Sequence, residues 1–207
     1  MSITVGTNCG FVSTQPTTTP TGDMTVYLDN SGSKVAFKAT SPTGSYKLTE
    51  IGFYDVQTTF TGGLWKAALY TDNSGVPGTL VGSEFTGQSL TTNTPAWYRY
   101  SDLSVTLVSN TVYWIVVGVV YDGSHQALIP TSDSSDGGTG GVLYFGTYTG
   151  NLTDGPYTNY KPAVYALYVA SSSVALSGTA TNSITETDVV SGGKTVILTL
   201  TGDTWIA

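Results

Sequence analysis

The stretch Thr111-Val112-Tyr113-Trp114-Ile115-Val116-Val117-Gly118-Val119-Val120 decides the fold. β-Branched and aromatic residues favour extended backbone, and apolar residues at both odd and even positions bury both faces of a strand. The stretch therefore predicts a central strand, or one whose outer face meets a loop or another subunit. Working outward, Lys34-Val35-Ala36-Phe37-Lys38-Ala39 alternates. Its odd positions are apolar and its even ones mostly suit water, the pattern of a strand buried on one face. Further strand runs are Thr25–Leu28, Lys34–Thr40, Lys47–Val56, Leu64–Thr71, Trp97–Leu107, Thr111–Tyr121, Gly141–Tyr148, Ala163–Ala170 and Thr195–Leu200. Turn chemistry separates them at Asn30-Ser31-Gly32-Ser33, Ser41-Pro42-Thr43-Gly44, Thr61-Gly62-Gly63, Asp72 to Gly78 and Tyr121-Asp122-Gly123. Gly, Thr, Ser and Asn interrupt every candidate helical period. The chain reads as all-β, an antiparallel sandwich or barrel.

Composition narrows the function. A chain of 207 residues and 21.6 kDa makes one domain with room for a real core. Lys+Arg 7 against Asp+Glu 14 gives a net charge of -7, which leaves no cationic surface for nucleic acid or anionic membranes. The opening Met1-Ser2-Ile3-Thr4-Val5-Gly6-Thr7 lacks the basic start and apolar core of a signal peptide, so synthesis in a cytoplasm is expected unless a leader was removed. Near Ala170-Ser171-Ser172-Ser173 tyrosine disappears and the chain becomes small and Thr-rich. Residues 1–170 therefore read as the main domain, and 171–207 as a β-rich segment that docks on it or exchanges strands in an assembly.

Chemistry is sparse. Cys9 is the single cysteine and His125 the single histidine, which excludes an intrachain disulfide and a structural zinc site. Cys9 has no basic neighbour to activate it and reads as structural; His125 reads as a loop residue. Glycoside hydrolysis needs two facing carboxylates, and the glutamates Glu50, Glu84 and Glu186 have no spacing that puts two on one strand face. They read as solvated strand or rim carboxylates. Asp72-Asn73-Ser74-Gly75 and Asp133-Ser134-Ser135-Asp136-Gly137 each offer oxygen ligands, so Ca²⁺ is the one cofactor left open, although Asx-Gly clusters are turn formers first. Gly137 to Gly141 lacks the lysine and helix of a phosphate loop and reads as a loop. Tyr144, Tyr148, Tyr157, Tyr160, Tyr165 and Tyr168 crowd the end of the main domain, where they suit either wet interfaces and sugar faces or ordinary outward strand positions.

Ala67-Ala68-Leu69-Tyr70-Thr71-Asp72-Asn73-Ser74-Gly75-Val76-Pro77-Gly78-Thr79-Leu80, then Trp97, then Leu107 to Ile115 resembles the jelly-roll modules of bacterial surface proteins and phage virion proteins. The resemblance covers residues 45–125 and implies an antiparallel jelly-roll β-sandwich. Ile3 to Val12, and Ala175 to Trp205, are similar to segments of phage structural proteins. The function expected from this is a non-enzymatic virion component: a capsid decoration, fibre, spike or tail subunit assembled in the host cytoplasm. Its partners would be copies of itself, other virion proteins and a host-surface glycan. The residues expected to carry these contacts are Tyr157, Tyr160, Ile197 and Trp205. The alternative is a carbohydrate-binding or adhesive module on a cell surface or extracellular filament.

Overall fold

A computed structural model of the chain describes residues 1–28, 33–56, 64–90, 94–120, 126–133, 140–147 and 151–171. Among these residues there are strands and turns but no helix. The chain divides into two units, Met1–Val169 and Ala170–Ala207, and of the second only residues 170–171 are described. The strands are β1 (Gly10–Val12), β2 (Met24–Leu28), β3 (Ser33–Thr40), β4 (Tyr46–Asp55), β5 (Leu64–Asn73), β6 (Val76–Leu80), β7 (Phe85–Ser89) and β8 (Ala96–Tyr100). They continue as β9 (Val105–Leu107), β10 (Val112–Val119), β11 (Ala127–Ser132), β12 (Val142–Thr147), β13 (Leu152–Thr158), β14 (Lys161–Pro162) and β15 (Val164–Ala170).

Three sheets result. The largest has seven strands in the order β13-β12-β3-β10-β5-β6, with β7 also on β5, and its pairings are antiparallel. The second has five, β1-β15-β4-β8 with β9 also on β4, and a parallel pairing joins β1 to β15. The third is the antiparallel trio β14-β11-β2. As its doubly apolar pattern predicts, β10 is central, flanked by β3 and β5.

Strand alternation then assigns each residue of the large sheet to one of two faces. Phe37, Leu69, Ile115, Val117 and Leu143 join Phe11, Leu48, Ile51 and Phe53 of the five-stranded sheet in the main core. The opposite face carries a second apolar cluster of Ala36, Ala68, Trp114, Val116, Tyr144 and Leu152. This corrects the one-sided reading of Lys34–Ala39: Lys34 and Ala36, on the expected water face, are both buried. The cause is curvature. The sheet curls until its edge strands β6 and β13 touch, enclosing the second cluster on its concave side.

Two runs differ from expectation. Trp97 to Leu107 is not one strand but β8 and β9, which pair with different halves of β4. The segment from Asp72 to Gly78 is a two-residue turn followed by strand β6. Ser74 (φ 56°) and Gly75 (φ 92°) both take the left-handed backbone of a type I′ hairpin, and Asn73 pairs with Val76. The turns at 30–32, 61–63 and 121–123 and the strand expected at 195–200 lie outside the described residues.

Candidate functional site

Curling of the large sheet leaves a cleft of about 770 Å³ between β6, β13 and the concave face. Lys34, Leu152 and Gly155 line it together with residues 70–73 of β5 and 76–79 of β6, while Ala36, Val116 and Ala68 lie side by side across β3, β10 and β5 on the same concave face. Tyr70 and Tyr144 stand at its sides, and Asn73, Asn151 and Thr153 at its rim. Burial, with the Glu84 charge adding to it and Lys66 opposing, holds the Tyr70 phenol above its ordinary value. That hydroxyl therefore stays protonated and can both donate and accept.

The base of the cleft is braced by Trp114. This fully buried indole meets Tyr144 edge-to-face, with centroids 5.2 Å apart. Its Nε1 donates to Asp72 Oδ1 at 2.9 Å, while Asp72 Oδ2 accepts from the Gly75 amide at 3.0 Å. Lys38 Nζ stands 3.7 Å from Asp72 and 5.7 Å from the Trp114 ring. Asp72 thus fastens the β5–β6 turn to Trp114 on β10, and both of its oxygens are engaged. Among the described residues no group of three His, Cys, Asp or Glu assembles as a metal site. Of the second calcium candidate, residues 134–137 lie outside the described region, as does His125.

Of the four residues expected to carry contacts, Tyr157 and Tyr160 are among the described residues. Tyr157 is exposed on edge strand β13, its hydroxyl donating to Asp154 at 2.7 Å and its ring edge-on to Phe145. Tyr160 is half-buried against the main core. Ile197 and Trp205 lie outside the described residues. Of the other tyrosines, Tyr165 and Tyr144 are buried, Tyr168 packs edge-to-face on Tyr46, and Tyr148 lies outside the described residues.

Glu50 is a correction. Far from solvated, it is 4% exposed, on the outer face of the five-stranded sheet. Tyr165 donates its hydroxyl to Oε1, Ser101 donates to Oε2 at 2.8 Å, and Gln15 Nε2 reaches both oxygens at 3.0 and 2.8 Å. Arg99 Nε lies 3.9 Å away, and the Arg99 guanidinium also donates to Pro16 O at 2.7 Å. With Trp97 Nε1 donating to Thr18 O, these bonds strap residues 15–18 across the sheet. Gly52 makes room for the arrangement, since a Cβ there would stand 2.6 Å from the Tyr165 ring. Glu84 pairs with Lys66 at 2.7 Å, and Glu186 lies outside the described residues. Cys9 is sealed in the core, and burial pushes its thiol far above the ordinary range, so it stays protonated.

No family model and no curated protein sequence matches the chain.

Proposed function

We propose that the chain is a non-enzymatic binding module, a jelly-roll β-sandwich whose concave cleft takes a saccharide. The observation that supports this is the cleft itself: Tyr70 and Tyr144 stand beside Val76, Pro77 and Leu152, among the amide and hydroxyl side chains of Asn73, Asn151, Thr79 and Thr153. Sugars have apolar ring faces ringed by hydroxyls, and sites for them combine aromatic rings with convergent hydrogen-bonding groups. The non-enzymatic part of the reading is supported by the engagement of two described groups that could otherwise do chemistry. Glu50 is surrounded by donors that hold a strap in place, and Cys9 is buried and protonated.

The setting implied by the resemblance of residues 45–125 is a virion, as a fibre, spike, tail or decoration subunit that also contacts its own copies and other virion proteins. Repetition there would multiply a weak single-site affinity into avidity for a host-surface glycan. A cell-surface or filament adhesin would use the cleft in the same way. The test is a glycan array probed with the full chain and with Tyr70→Ala. The full chain should retain a related set of glycans, and loss of one aromatic wall should weaken that binding about tenfold. An array on which the full chain retains nothing, at spot densities that allow multivalent contact, would overturn the reading.

A further inference from the structure

The concave face carries Lys34, Lys38 and Lys66, and two of these have carboxylate partners. Lys38 faces Asp72 at 3.7 Å and Lys66 meets Glu84 at 2.7 Å. Lys34 has neither an ion pair nor a hydrogen bond among the described residues, although it is only 7% exposed and lines the cleft. Its position explains how it stays there. Its neighbours on β10 and β12 are Gly118 and Gly146, so the stem lies where no flanking side chain crowds it. A Cβ on Gly118 would come within 2.7 Å of the Lys34 Cβ. Its Nζ stands over the Tyr70 ring, 5.9 Å from the centroid.

The Lys34 ammonium has no hydrogen-bonding partner among the described residues, and an anion brought to it in the cleft gains a charge-assisted hydrogen bond. Burial lowers the pKa of Lys34, with Glu84 opposing and Lys66 adding to the effect. That direction is the one desolvation imposes on a cation.

We propose that the cleft selects an acidic saccharide, whose carboxylate or sulfate is received by Lys34 while the sugar ring lies against Tyr70. The proposal rests on the saccharide reading and names its ligand class. A single cation lining this cleft without an ion pair among the described residues, in a chain of net charge -7, fits a single anionic group within a neutral framework, not a polyphosphate backbone.

Calorimetric titration of the full chain with three hexasaccharides tests it: an oligogalacturonate, a chondroitin sulfate fragment and cellohexaose as the neutral control. At least one acidic probe should bind about tenfold or more tightly than the neutral one. Its affinity should fall with added salt, and Lys34→Met should remove the preference while leaving neutral binding in place. If neutral and acidic probes bind the wild-type chain equally, the ligand-class proposal is overturned and the saccharide cleft stands. If none of the three binds, both fall. The wild-type comparison decides the matter even where Lys34→Met does not fold.

Discussion

Alanine in place of Trp114 should lower the folding free energy by about 3–5 kcal/mol, the range for removing a large buried aromatic. The indole is fully buried on the central strand of the large sheet, with Tyr70 and Lys38 opposite it on the two neighbouring strands. Its loss opens a cavity beneath the cleft, removes the edge-to-face contact with Tyr144 and deprives Asp72 of its Nε1 donor. Trp114→Phe separates these contributions. It keeps much of the apolar volume but leaves Asp72 Oδ1 without that donor, for an expected loss of about 1–3 kcal/mol. Urea unfolding at constant m-value measures both. A Trp114→Ala loss below about 1 kcal/mol would mean that the second cluster is not a packed core.

Glu50→Ala should be comparably damaging, at about 3–5 kcal/mol, because breaking a buried charged network strands its partners. Tyr165, Ser101 and Gln15 would lose a shared acceptor, and Arg99 would lose its facing charge. Glu50→Gln is the sharper variant. The hydroxyl and amide groups bonded to the carboxylate all donate to it, so a side-chain NH₂ would point a donor at donors. The expected loss is therefore still about 2–3 kcal/mol, despite near-identical shape. Early proteolytic cleavage near residues 13–19 in either variant would show that the strap has been released. A Glu50→Gln protein as stable and as protease-resistant as the parent would contradict this description of the network.

These two sites differ in how far the sequence revealed them. Trp114 lies in a run whose doubly apolar pattern announces a central strand, and a tryptophan there is buried whichever way it faces. Glu50 is surrounded by residues 15, 99, 101 and 165, which sequence spacing cannot bring together. The available signal was a lone carboxylate set against Ile51-Gly52-Phe53-Tyr54, a run too apolar for a rim.

Two of the strands that escaped sequence reading, β6 and β13, share a physical cause. β6 contains Val76-Pro77-Gly78 and β13 contains Asp154-Gly155-Pro156, so both resemble turns. At the edge of a sheet a proline costs no ladder bond, provided that its missing N–H would face away from the partner strand, so turn-like composition is tolerated there. Those edges are what close the cleft, and for that reason the cleft was invisible in the sequence. The signal for Lys34 was weaker still, because its glycine neighbours come from strands far away in the chain. The tyrosines were conspicuous by number. Only the folded chain separates Tyr165 and Tyr144, which are buried, from the exposed Tyr157.

On the proposed reading, the concave cleft of the large sheet is the ligand site. Its most direct test is the set of backbone amide shifts of the ¹⁵N-labelled full chain during titration with whichever of the three hexasaccharides binds most tightly. The predicted result is saturable shifts concentrated at Lys34, Tyr70 to Thr79, Tyr144 and Asn151 to Gly155, with the five-stranded sheet unmoved. Shifts centred instead on Glu50, Trp97 and Tyr165, or no saturable shifts at millimolar ligand, would contradict it.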